Sequence, residues 1–88
     1  MRAEIEDWKN GWFGVRLEIK AGEIDGLINK LTMLKNDPDQ HFHLSNTYKE
    51  AGGIGDIEVS VQSDTAPSNI EAGGRALAQG DVIETRPV

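Results

Sequence analysis

The run from Glu23 to Asn36 constrains this chain more than any other stretch. Ile24, Leu27, Ile28, Leu31 and Leu34 recur at three- and four-residue steps, which places them on one face of a helix. Asp25, Asn29, Lys30, Thr32, Lys35 and Asn36 take the opposite face. The helix is predicted to begin near Gly22 or Glu23, where Glu23 and Asp25 suit the positive end of the helix dipole. It is predicted to end at Asn36-Asp37-Pro38-Asp39, because the residue before a proline is pushed out of helical geometry. One apolar stripe cannot be stable in water alone, so the rest of the chain must supply a sheet to cover it.

Residues 2–20 read as a β-hairpin whose register can be argued. Ala3 and Ile5 alternate with Arg2, Glu4 and Glu6; Phe13, Val15, Leu17 and Ile19 alternate with Gly14, Arg16, Glu18 and Lys20. A two-residue Asn10-Gly11 turn would set Ile5 against Arg16 and mix the faces along the whole ladder. A three-residue loop, Lys9-Asn10-Gly11 with Gly11 left-handed, pairs Trp8 with Trp12 instead. Ile5 then meets Val15 and Ala3 meets Leu17 on one face, while Glu4 meets Arg16 and Arg2 meets Glu18 on the other. Asp7, opposite Phe13, is the one misfit.

Beyond the helix, Phe42 and Leu44 alternate with His41, His43 and Ser45 in a third strand. Thr47 to Gly55 is a glycine-rich loop. Ile57, Val59 and Val61 alternate with Glu58, Ser60 and Gln62 in a fourth strand. The expected fold class is α+β: a β-β-α-β-β domain over residues 1–62, with one helix on one face of a four-stranded, mainly antiparallel sheet. Leu27, Ile28 and Leu31 are expected to face that sheet, and the third strand to lie beside the first. Residues 63–88 form a C-terminal extension, flexible or loosely docked, in which Ile70–Gln79 could be a short helix and Asp81–Thr85 a strand.

Charge and composition narrow the function classes. Fifteen acidic residues against nine basic ones give a net charge of −6, which disfavours nucleic acid and anionic membranes as partners. A basic protein partner suits that charge, and so does plain solubility. The absence of cysteine removes disulfides and thiolate chemistry. No apolar leader follows Met1, and a cytoplasmic location is expected. At 88 residues, the chain buries only roughly 60–65% of its unfolded surface.

Three clusters of side chains carry chemistry. His41 and His43 leave the same face of their strand, about 6.5–7 Å apart along it, and Glu58 joins them if the fourth strand pairs with the third. Without that third ligand the histidines read as exposed strand residues, so neither a metal nor a cofactor is expected. Ser60, His43 and Glu58 supply the residue types of a catalytic triad but no pocket or oxyanion donor, so the chain is not expected to be an enzyme. Trp8 and Trp12, beside the turn, are either anchors for a partner or caps for each other. Gly52-Gly53-Ile54-Gly55 lacks the lysine and following helix of a phosphate cradle.

The helix EIDGLINKL, the run His41-Phe42-His43-Leu44, the glycine-rich loop and the strand DIEVSV together resemble the bacterial immunity protein 32 family, over about residues 22–62. That resemblance implies a small acidic protein that neutralises a toxin by binding it, without catalysis. The expected contact residues are Trp8, Trp12, Glu4, Glu18, His41, His43 and Glu58. A second class remains open: a structural or oligomerising domain of phage or operon origin that pairs through a sheet edge. The chain is expected to be a monomer or a weak homodimer.

Overall fold

The computed structural model describes residues 1–73. Two strands, β1 (Arg2–Asp7) and β2 (Phe13–Glu18), form an antiparallel hairpin, followed by a single helix, α1 (Ala21–Asn36). A second antiparallel hairpin, β3 (His41–Ser45) and β4 (Asp56–Ser60), completes the order. The chain is therefore α+β with the expected β-β-α-β-β sequence of elements. It does not build the expected four-stranded sheet: β1–β2 and β3–β4 are separate two-stranded sheets, and β3 does not lie beside β1. The physical reason lies in what pairs strands. Within a hairpin, a direct connection and matched apolar and polar faces fix the register. Between hairpins nothing local does so, and β1, with Arg2, Glu4, Glu6 and Asp7 among its six residues, presents a charged edge.

Inside the first hairpin the expected register holds at every position. Arg2 faces Glu18, Ala3 Leu17, Glu4 Arg16, Ile5 Val15, Glu6 Gly14 and Asp7 Phe13. The Trp8 N–H donates to the Trp12 carbonyl at 3.1 Å, which closes the three-residue loop. Gly11 takes φ +94°, as that loop requires, and Lys9 is also left-handed at φ 60°. Asp7, the misfit in the alternation, has a local task. Its carboxylate accepts the Lys9 N–H at 2.9 Å, and the Asn10 side chain accepts the Trp12 N–H at 3.1 Å. Such side-chain bonds to nearby backbone are how Asp and Asn specify turns.

α1 starts where Lys20 donates its N–H to the Glu23 carboxylate at 3.0 Å. It stops at Asp37, whose N–H donates to the Met33 carbonyl at 2.9 Å just before Pro38. The same Glu23 carboxylate accepts from the Met1 amino group at 2.8 Å, tying the start of β1 to the helix.

The core is thin. Among the described residues, Leu34 is the one buried apolar side chain, at 6% exposure. Leu27 is half-buried, but Ile24, Ile28 and Leu31 remain exposed, with Leu31 at 48%. The expectation that Leu27, Ile28 and Leu31 pack against a four-stranded sheet is not met: that sheet is not formed, and Ile28 and Leu31 are exposed. The buried position lies in the C-terminal half of the helix, where Leu34 and Phe42 line a common cavity with Met33 and His41. At the N-terminal half, Gly22 and Gly26 have no heavy atom near the place a Cβ would occupy.

The second hairpin alternates strictly. Phe42, Leu44, Ile57 and Val59 are half-buried, while His41, His43, Ser45, Asp56, Glu58 and Ser60 are exposed. Residues 46–55 connect its strands. Asn46 holds that loop by donating to the Ile54 carbonyl at 2.7 Å, and the Tyr48 hydroxyl donates to the Gly55 carbonyl at 3.0 Å. Val61 lies past the end of β4 and is exposed. After it, Gln62 folds over a turn at 63–66 and donates to the Pro67 carbonyl at 3.0 Å. The expected helix at 70–79 begins with non-helical residues 70–73; its remainder and the expected strand at 81–85 lie outside the described residues. Among the described residues, no helix is long and apolar enough to cross a membrane.

Candidate functional site

Two regions gather the residues that sequence reasoning selected. The first is the turn end and apolar face of the β1–β2 hairpin. Trp8 and Trp12 close the hairpin beside its turn, and both are exposed, Trp12 at 71%. They are not equivalent. The Trp8 ring lies over Gly14, so close that a Cβ there would sit 2.9 Å from Trp8 Cζ2. Gly14 is thus the seat of Trp8, a role hidden in the sequence because Gly14 looked like one more polar-face position. Trp12 has no such seat among these glycines and projects further.

Glu4 and Glu18 share that face with Arg2 and Arg16, but the ion pairs do not run straight across. Arg2 bonds Glu4 on its own strand, and Arg16 reaches diagonally to Glu6 at 2.9 Å. The Glu4 carboxylate beside the Arg2 guanidinium pushes the arginine pKa further up from its ordinary value. Glu18 faces Arg2 in the ladder without bonding it. Neutralised in this way, the face offers less free negative charge than its glutamates suggest.

On the opposite face, Ile5 is 60%, Phe13 60% and Val15 65% exposed. Farther along, Ala3, Ile5 and Leu17 line an open groove of about 860 Å³ with Leu44, Ile54 and Ile57 of the second hairpin. The two hairpins therefore present apolar side chains to a shared gap, rather than to a common sheet.

The second region is the outward face of β3–β4. Its register sets His41 opposite Ser60, His43 opposite Glu58 and Ser45 opposite Asp56. His43 Nδ1 lies 2.8 Å from Asp56 Oδ2, and the Ser45 hydroxyl donates to the other Asp56 oxygen at 2.8 Å. The hydrogen bond to Asp56, with the charges of Asp56 and Glu58, raises the His43 pKa above its ordinary value. Reciprocally, His43 and then Ser45 lower that of Asp56. Asp56 is the functional-face residue that sequence reasoning missed. Its signal was present, since a strand beginning DIEVS puts Asp56 and Glu58 on one face, but only the register shows that Asp56 reaches His43.

The candidate contact residues thus fall into two groups on two hairpins: Glu4 and Glu18, with Trp8 and Trp12 beside the loop, on the first, and His41, His43 and Glu58 on the second. A single continuous polar face joining them, as a four-stranded sheet would provide, is not formed. Ser60 stands opposite His41, while Glu58 stands opposite His43, so the three triad residue types do not share one cross-strand row. Compared with known proteins, the chain matches no family model, and no curated protein or solved structure is significantly similar to it.

Proposed function

We propose that this chain is a small acidic binding protein that captures a protein partner on its first hairpin. The observation that carries the reading is the exposure of Ile5, Phe13 and Val15. The alternation marks these residues as an inward face and the register stacks Ile5 on Val15, yet each stays at least 60% exposed in the described fold. Contiguous apolar surface of that kind on a small domain marks an interaction site. Trp8 and Trp12 at the turn supply aromatic anchors of the type that dominate binding energy. The net charge of −6 suits a basic partner, with steering that weakens as salt rises. The likeness of residues 22–62 to the immunity protein 32 family supports the narrower reading, in which the partner is a toxin and capture neutralises it without catalysis.

The test is affinity capture from the native host, followed by titration of the purified partner against single variants. Trp12→Ala is expected to cost about 2 kcal/mol or more of affinity while the hairpin stays folded. Val15→Asp is expected to weaken binding as strongly. Undiminished affinity in both would remove the first hairpin from the interface.

One observation favours self-association as a second reading. Among the described residues, every strand belongs to a two-stranded sheet and shows an unpaired edge that a second copy could extend. Light scattering across a concentration series separates the two. A dimer of the isolated chain supports edge pairing; a monomer that forms a one-to-one complex with a different protein supports capture.

A further inference from the structure

The outward face of the second hairpin holds an arrangement that neither reading uses. His41 and His43, two apart on β3, have rings meeting edge to face with centroids 5.0 Å apart. Glu58, brought opposite His43 by the β3–β4 register, places Oε1 3.8 Å from His43 Nε2. That distance is too long for a hydrogen bond. It is close to the separation of about 3.4 Å between two ligand atoms that hold one ion at ~2.0–2.2 Å in tetrahedral geometry. One ligand atom from each of His41, His43 and Glu58 lies within 4.8 Å of the others, and all three side chains are exposed.

The environment of His43 gives an independent reason. With Nδ1–H donating to Asp56, the neutral ring keeps its lone pair on Nε2, the nitrogen nearer Glu58. Asp56 is itself fixed by the Ser45 hydroxyl on its second oxygen. A carboxylate on the remote nitrogen of a ligating histidine is the usual way a protein fixes the ring and raises its basicity toward a metal. β3 and β4 carry no lysine or arginine that would compete with a cation on this face.

We propose that His41, His43 and Glu58 form a site for a divalent metal that prefers imidazole, such as zinc, with Asp56 orienting His43. Three protein ligands leave a fourth position open to water or to an incoming group. The expectation of no metal rested on a missing third ligand, and the strand register supplies it. Because the ligands come from both β3 and β4, the ion clasps the second hairpin across its ladder. The site is independent of partner capture on the first hairpin.

The experiment is zinc titration of the tag-free full-length chain, followed by calorimetry and native mass spectrometry, with far-ultraviolet circular dichroism to verify folding. One zinc per chain is expected. His43→Ala should abolish binding, Glu58→Gln should weaken it at least tenfold, and Asp56→Asn should weaken it about 10–100-fold with the stoichiometry intact. Cobalt(II) in place of zinc should give the intense visible bands of a tetrahedral site, lost in His41→Ala. Failure of the native chain to hold one zinc would overturn the proposal. So would equal affinity in His43→Ala and the native chain, since a folded variant that still binds places the ion elsewhere.

Discussion

In the second hairpin Phe42, Leu44, Ile57 and Val59 are half-buried and the residues between them exposed, position by position. In the first hairpin the same alternation is present and its register is the expected one, yet Ile5, Phe13 and Val15 are exposed along with Glu6, Asp7 and Arg16. Alternation decides which side chains share a face; it does not decide whether that face is covered. Cover depends on which part of the helix reaches a hairpin, not on where its apolar residues lie, since these run along its whole length. Its C-terminal half brings Met33 and Leu34 to Phe42 through the short Asp37–Gln40 connection. Its N-terminal half carries Ile24, Leu27 and Ile28, yet Ile24 and Ile28 stay exposed and Val15 is left uncovered. The apolar face of the second hairpin is therefore half-buried, while Ile5, Phe13 and Val15 of the first stay open.

The largest expected effect lies at the covered end. Leu34→Ala should cost about 2–5 kcal/mol, the range for deleting a buried leucine side chain, and threaten the fold of so small a domain. Leu31→Ala, at a side chain 48% exposed, should cost much less. Chemical unfolding of the two variants measures the difference. Equal losses would show that the whole helical stripe is packed, and the contrast between the two hairpins would disappear.

A smaller effect is expected at the first turn, which is specified locally rather than by packing. Gly11 sits at φ +94°, where a β-branched side chain is strained, so Gly11→Val should cost about 1–3 kcal/mol. Asn10→Asp keeps an acceptor for the Trp12 N–H and should be mild. Cross-strand NOEs that placed Lys9 opposite Trp12, in either protein, would disprove the three-residue loop.

What was legible in the sequence divides along the same line. The pairing of Ile5 with Val15, the left-handed Gly11, the helix stop before Pro38 and the outward His41 and His43 all follow from local rules of sterics and period. The separation of the two sheets was not legible, because no residue encodes which edge of one hairpin meets which edge of another. Nor was the thin core, since Ile28 and Leu31 look the same in sequence whether or not anything lies above them. At the candidate metal site, the ligand types and the strand face could be read from His41, His43 and Glu58. The His43–Asp56 bond needed the pairing of β3 with β4 and the side-chain geometry that follows from it.

Matched substitutions sharpen the contrast further. Val15→Thr, on the uncovered face, should change stability by no more than about 0.5 kcal/mol. Val59→Thr, on the half-buried face of β4, should cost about 1 kcal/mol, because its hydroxyl loses water without a ready partner. Thermal unfolding of both resolves the comparison. A Val15→Thr loss as large as that of Val59→Thr would mean the first hairpin is covered in solution, by the C-terminal residues or by a second copy.

The smallest effect concerns the tie between the first hairpin and the helix. Glu23 accepts from the Met1 amino group and from the Lys20 N–H, and these bonds, in that order, hold its pKa below the ordinary value. A carboxylate whose pKa is depressed by folding stabilises the fold above its unfolded pKa, and that contribution is lost as pH falls through the folded one. The native chain should therefore lose stability on acidification from about 4.5 downward through this group. Glu23→Gln removes the ionisable group, so its acid limb should be shallower, with a lower plateau at neutral pH. The side chain is exposed enough that salt should shrink the difference. Stability measured against pH in low and high salt tests this directly. Identical acid limbs for Glu23→Gln and the native chain would show that the bond to Met1 is not maintained in solution, leaving the short Ile19-Lys20 link as the first hairpin's hold on the helix.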